Sequence, residues 1–379
     1  MPLPPYPMPP SVLDVHADLV SIPSLSHHEA AAADYVQAWA REHGLEAGRH
    51  DDNVWASVGS GDDLLLLCSH LDVVPPSENH PHDPFTPTRA GDRIYGRGAV
   101  DAKASGAAML TALAALHESG WRPRGRLVVA LTACEETGGG YNGMETMRRE
   151  VFGNALPEVS AALVGEPTEL RPCLAQKGLL ILEATAHGRT AHAARAHLGD
   201  NAVTRAARDL LALDDLEFDR ADPLLGKPTA NATLVEGGTA KNVIPDRCRF
   251  TLDVRSTPAY THAELTEIVR AALESEVSVY SDRLVPCATD RTERVAVAAL
   301  EAVASLADLG LEAEPFGSPT ASDWIFLADV PAVKIGPGRS ELSHTPDEHV
   351  TVGQLEAAVK VYAEVARRYF AEGSEFRVG

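Results

Sequence analysis

The chain has 379 residues, more than one ordinary hydrophobic core accommodates, which implies two domains. Its 45% hydrophobic and 23% charged residues are the proportions of a water-soluble globular protein. With 33 basic against 54 acidic side chains the formal net charge is −21, which disfavours nucleic acid or anionic lipid as a partner.

Residues 1–10 are proline-rich and lack both a basic start and an apolar run, so they read as a short disordered arm rather than a secretory signal. A helix is expected from Ser11 and a second over 29–43, stopped at Gly44. Short apolar runs follow at 64–69, 127–133, 161–165 and 332–335, with an alanine-rich helical stretch at 104–118. Short apolar runs alternating with helices predict an α/β fold with a mostly parallel sheet covered on both faces. The middle reads strand 179–188, helix 201–213, strands 231–236 and 248–256, helix 262–273 and strand 277–280. That β-α-β-β-α-β order predicts a ferredoxin-like α+β insertion at 176–288, within a discontinuous domain of 1–175 and 289–379. No apolar run reaches the roughly 18–20 residues that span a membrane. The five cysteines are odd in number and show no CxxC spacing, as expected of reduced thiols in a cytoplasmic protein.

The chemistry-bearing residues fall where these runs end. His70 and Asp72 follow the first run, Glu135-Glu136 the second and Glu166 the third; His344 lies in the loop beyond the fourth, and Asp101 follows a Gly-Arg-Gly turn. Sites in open α/β sheets form at the carboxyl ends of strands. Singly each residue has an ordinary reading: a structural hydrogen bond for His70 and Asp72, a solvated face for the two glutamates, a helix cap for Asp101, a turn acid for Glu166, a surface histidine for His344. Their coincidence points to a metal site. Imidazoles and carboxylates without cysteine suit zinc, and also cobalt or manganese. Two ions sharing a bridging carboxylate would activate water for attack on an amide. Glu135 is the candidate proton carrier, since its neighbour Glu136 is tied to metal, and Asp72 is placed to hold the second nitrogen of His70.

The stretches Ser69-His70-Leu71-Asp72-Val73-Val74-Pro75, Tyr95-Gly96-Arg97-Gly98-Ala99-Val100-Asp101-Ala102-Lys103, Cys134-Glu135-Glu136, Val164-Gly165-Glu166-Pro167-Thr168 and Ser343-His344-Thr345-Pro346-Asp347-Glu348 resemble, in order, the motifs of the M20 metallopeptidases. This is the family of acetylornithine deacetylase and succinyl-diaminopimelate desuccinylase. The resemblance implies that His70 and Glu166 bind one zinc, that Glu136 and His344 bind the other, and that Asp101 bridges them. It makes Glu135 the general base and acid, with Asp72 orienting His70. It further implies a homodimer joined through the inserted lid, in which His192 donates to the oxyanion in a neighbouring subunit's site. Asn242 and Arg255 would bind the substrate carboxylate; a turn and an exposed ion pair are their ordinary readings.

Two departures from the family pattern stand out. Ala102-Lys103-Ala104 replaces the usual Met-Lys-Gly, and Gln176-Lys177-Gly178-Leu179-Leu180 lacks the Arg-Gly-Ser with which the desuccinylase branch grips a succinyl group. The runs 166–169, 317–323 and 336–340 are most similar to the acetylornithine deacetylase branch. The expected activity is therefore hydrolysis of an N-acyl amino acid, N2-acetylornithine first, in arginine synthesis. N-acyl-lysine, succinyl-diaminopimelate and dipeptides are the alternative substrates, and a silent binding protein on the same fold is the alternative of another class.

Overall fold

The computed structural model describes residues 11–137 and 140–371; the arm expected at 1–10 lies outside them. The described residues form two compact units: one through Leu174, with Thr289–Phe316 and the residues from Ser322 onward, the other Ala175–Ala288 with Gly317–Ala321.

The first unit opens with α1 (Val12–Ser21), where the Ser11 hydroxyl accepts the Asp14 N–H, and α2 (Ala30–Glu42), which ends before Gly44 at φ +70°. Next come β1 (Glu46–His50), β2 (Asn53–Gly59), the wholly buried β3 (Leu64–His70), the short β4 (Thr88–Ala90) and β5 (Arg93–Tyr95), then α3 (Lys103–Glu118). β6 (Arg126–Thr132), α4 (Gly143–Glu150), β7 (Val159–Val164) and β8 (Cys173–Gln176) follow. The second unit holds β9 (Gly178–His187), β10 (Ala191–His192), α5 (Ala202–Asp214), β11 (Thr229–Gly237), β12 (Val243–Ile244), β13 (Arg247–Ser256), α6 (His262–Ala272), β14 (Glu276–Leu284) and β15 (Cys287–Ala288). After α7 (Arg294–Ser305) and β16 (Phe316–Ser318), the chain ends with β17 (Ala332–Lys334), β18 (His349–Thr351) and α8 (Val352–Tyr369).

The main sheet of the first unit runs β1-β2-β6-β3-β7-β17, with the start of β8 added beside β17. Its four central strands, β6-β3-β7-β17, are parallel, whereas β1, β2 and β8 pair antiparallel. The sheet is thus mixed, with the parallel order confined to the centre. The register aligns His70 with Thr132, Cys68 with Val164, and Val164 with Lys334, so the central strands end within two residues of one another. The chain segments leaving that edge therefore start close together. α3 is buried along almost its whole length and packs on α1 and α8. Its approach to the sheet requires a glycine: a Cβ at Gly165 would lie 2.6 Å from Met109 Cε and 2.7 Å from Ser105 Cβ. No side chain larger than hydrogen fits where β7 hands over to Glu166.

In the second unit the antiparallel sheet β11-β13-β9-β14 carries α5 and α6, the ferredoxin-like order. Strict alternation of buried and open positions along β9 and β13 supplies its core, including Leu180, Leu182, Phe250 and Leu252. β11 is one of the sheet's two outer strands, with β14 at the other edge, and is exposed along nearly its whole length.

Candidate metal centre

β3 ends in His70, which is 2% exposed. Its Nε2 lies 3.3 Å from Asp101 Oδ1 and 3.9 Å from Glu166 Oε1. From the loop after β17, His344 brings its Nε2 to 3.5 Å from Asp101 Oδ2 and 2.9 Å from Glu136 Oε1. Asp101 thus turns one carboxylate oxygen toward each imidazole. His70, Asp101 and Glu136 offer ligand atoms that all lie within 4.8 Å of one another. Asp101 does not cap α3: the cap position is Ala102, with no side-chain bond, and the Asp101–Ala102 peptide is cis.

Asp72 is fully buried. His70 Nδ1 lies 2.9 Å from the Asp72 main-chain oxygen and 3.6 Å from its Oδ1. The carboxylate is turned elsewhere, accepting the N–H of Glu135 (3.0 Å), the N–H of Glu136 (3.1 Å) and the Ser26 hydroxyl (2.7 Å). Asp72 therefore links His70 to the Glu135–Glu136 segment through two different groups.

The electrostatics describe an acidic pocket. Burial and then the Asp101 charge push Glu166 up to about 8. Burial also lifts Glu135 well above the usual carboxylate range; His70 opposes this, and Glu166, Asp323 and Glu136 add to it. Burial depresses His70, but its bond to Asp101 and the charges of Glu135, Glu166 and Asp72 outweigh that and raise it. Acceptor oxygens and imidazole nitrogens, crowded at the end of buried strands, are a donor set suited to a cation.

Three supporting groups had no role assigned from sequence. Glu348 Oε1 accepts the N–H groups of Val100 (3.1 Å) and Asp101 (3.2 Å), while Oε2 pairs with Arg97; both side chains are buried. Arg97 also donates to the His344 main-chain oxygen (3.3 Å), so one ion pair fixes both the Asp101 turn and the His344 loop. Asp323 accepts from Thr132 Oγ1 and Asn142 Nδ2, each at 2.9 Å, and burial pushes it up to about 6. Arg97 and Glu348 lie inside motif stretches and Asp323 ends the run 317–323, but nothing in their spacing marks them as supports.

The remaining expected residues belong to the second unit. His192 is exposed, and its Nδ1 accepts the Ala194 N–H (3.1 Å), which leaves the ring proton on Nε2. Asn242 is exposed, and its main-chain oxygen accepts the Ala193 N–H (2.9 Å), holding it beside His192 where β10 pairs with β12. Arg255 donates through Nε and Nη2 to Asp253, at 2.8 and 3.1 Å.

Residues 66–368 match the family described as Peptidase family M20/M25/M40. The chain belongs to this family. A Mycobacterium tuberculosis (strain H37Rv) protein, provisionally named a succinyl-diaminopimelate desuccinylase, is 32% identical over 94% of this chain and 97% of its own length. A probable carboxypeptidase of Aspergillus terreus is 31% identical over 93% of this chain and 85% of its own. Among solved structures, aminopeptidase PepT from Bacillus cereus superposes with a TM-score of 0.79 at 20% identity, covering 95% of this chain and 98% of that one. The Bacillus subtilis YXEP protein, titled a dinuclear metal binding peptidase from the M20 family, gives 0.72 at 18% identity, covering 94% and 96%. The chain is accordingly a metal-dependent hydrolase of amide bonds.

Proposed function

We propose that the protein is a cytoplasmic two-zinc deacylase of N-acyl amino acids, with N2-acetylornithine as its substrate and arginine synthesis as its setting. The observation that carries the two-ion reading is Asp101, whose two oxygens face His70 and His344 separately. His70 and Glu166 would hold one ion and Glu136 and His344 the other, with Asp101 shared between them. When bound, such ions supply Lewis acidity toward an amide carbonyl and acidify water. Glu135 takes the proton of the attacking water and returns it to the leaving amine; the burial that raises it favours holding that proton between the two steps. Asp72 keeps His70 and the glutamate segment in mutual register. Asn242 and Arg255 bind the substrate carboxylate.

Two copies associate through the second unit, and each contributes His192 to the other copy's site as an oxyanion donor. The proton on Nε2 suits that role, and the exposed outer strand β11, with Leu234 and Val235, suits the contact. Five free cysteines agree with a reducing compartment. Among the described residues no helix is long and apolar enough to cross a membrane.

The names of the relatives favour a second reading, a succinyl-diaminopimelate desuccinylase or a carboxypeptidase. Segment 176–180, without Arg-Gly-Ser, speaks against the first of these. The test is a panel of acetylornithine, acetyl-lysine, succinyl-diaminopimelate and dipeptides with the zinc- or cobalt-loaded protein. The highest kcat/KM is expected on acetylornithine. A preference for another member replaces the substrate, and no hydrolysis of any favours a binding protein.

A further inference from the structure

Just after β6 the backbone turns sharply: Cys134 has φ +58°, in the left-handed region that a side chain with a Cβ adopts only at a steric cost. Strand pairing has ended, and the next three N–H groups, of Cys134, Glu135 and Glu136, are taken in sequence by buried carboxylates. Asp72 receives the second and third. The first goes to Glu29 Oε1, at 2.9 Å, from 105 residues earlier in the chain.

Glu29 stands at the cap position of α2, yet its side chain makes no capping bond to that helix. It is 1% exposed, and Oε1 collects the His27 N–H (3.0 Å), the Cys134 N–H (2.9 Å) and the Cys134 thiol (3.3 Å). The thiol also lies 3.2 Å from His27 Nδ1. A buried carboxylate is tolerated when N–H groups converge on it, and its place at a helix start stabilises its charge further. The carboxylate thus serves the glutamate turn instead of its own helix.

We infer that Glu29 is a positioning residue of the reaction: by holding the Cys134 N–H it sets the left-handed turn from which Glu135 and Glu136 project. This rests on the reading of Glu135 as proton carrier and Glu136 as metal ligand. A group that only stabilised the fold would affect melting and leave kcat per folded molecule unchanged. A group that aims the turn alters kcat while leaving KM, because a small misplacement of a proton carrier is felt in the chemical step.

The test compares Glu29→Ala, Glu29→Gln and Glu29→Asp in the full-length protein. Kinetics are measured on the best substrate of the panel, and Zn2+ affinity by competition with a chromophoric chelator. Glu29→Ala is expected to lower kcat and the affinity for the weaker-bound ion by about 10- to 100-fold each, with KM within about 2-fold. Glu29→Gln keeps an acceptor oxygen and is expected to stay within about 3-fold in both readouts. Should Glu29→Ala not fold, Glu29→Asp decides: it keeps the charge but shortens the reach by one methylene, and a several-fold loss of kcat at near-native melting is expected.

An alanine variant that folds with kcat and zinc affinity within about 2-fold of wild type overturns the inference, as does a glutamine variant as damaged as alanine. Wild-type hydrolysis alongside an indifferent alanine variant sinks only the role of Glu29. A wild type that hydrolyses nothing sinks the functional reading, and the zinc competition still decides on Glu29.

Discussion

Glu135 and Glu136 are adjacent, yet they face different partners: Glu136 meets His344, while Glu135 sits among the charges of His70, Glu166 and Asp323. Replacing Glu135 with Ala is therefore expected to lower kcat by about 10²–10⁴-fold with zinc content unchanged. Mass spectrometry or elemental analysis of the variant checks the second half, and loss of metal would make Glu135 a ligand instead. Glu348 behaves differently. It shares a buried ion pair with Arg97, and truncation to Ala strands the guanidinium; a loss of about 3–5 kcal/mol is expected in urea unfolding. The same variant frees the Val100 and Asp101 N–H groups, so activity falls even where the protein stays folded. The ligand-type residues of the first unit were legible because His70, Glu136 and Glu166 follow apolar runs closely, Asp101 follows a glycine turn, and His344 lies in the loop beyond the last run. Glu29, Glu348 and Asp323 were not, because their work is done across 105, 247 and 191 residues of chain, on partners that spacing does not reveal.

At the level of elements, strands whose residues are buried on both faces announce themselves as continuous apolar runs, as β3 does with seven buried residues. β1, reading Glu-Ala-Gly-Arg-His, has no such pattern and exists through its pairing with β2, which is why the antiparallel edge of the sheet went unread. α1 shows how an element can serve the site from behind. His16, fully buried on its inner face, places Nε2 2.8 Å from the Ala99 main-chain oxygen in the turn leading to Asp101. Burial lowers its pKa from 6.5 to about 4. The unfolded chain therefore takes up a proton near pH 6.5 that the folded chain refuses until about pH 4. This contribution to stability is complete above 6.5 and is lost as pH falls through that window, by at most about 3 kcal/mol. Urea unfolding of the metal-free protein at several pH values checks it against His16→Gln, which should show a shallower decline between 6.5 and 4. Equal slopes would remove His16 from the account.

For the whole molecule, the proposed dimer makes a demand that a single chain does not. If His192 acts in the site of the other copy, Glu135→Ala and His192→Ala homodimers each fail, but a mixed dimer contains one site with both groups intact. Random exchange of subunits at equal concentrations makes half of the dimers mixed, so about a quarter of wild-type activity is expected to return. If His192 acts within its own chain, every site in the mixture keeps one defect and nothing returns. The contact itself is tested on β11, whose Leu234 and Val235 are 64% and 53% exposed on one outer strand of the second unit's sheet. A charged edge resists pairing, so Leu234→Lys with Val235→Lys is expected to halve the mass in sedimentation. It should also lower kcat to the level of His192→Ala while leaving zinc binding intact, since all five expected ligands lie in the first unit. Full activity in a demonstrated monomer would return His192 to an exposed histidine beside β12, and the oxyanion donor would have to be sought within the single chain.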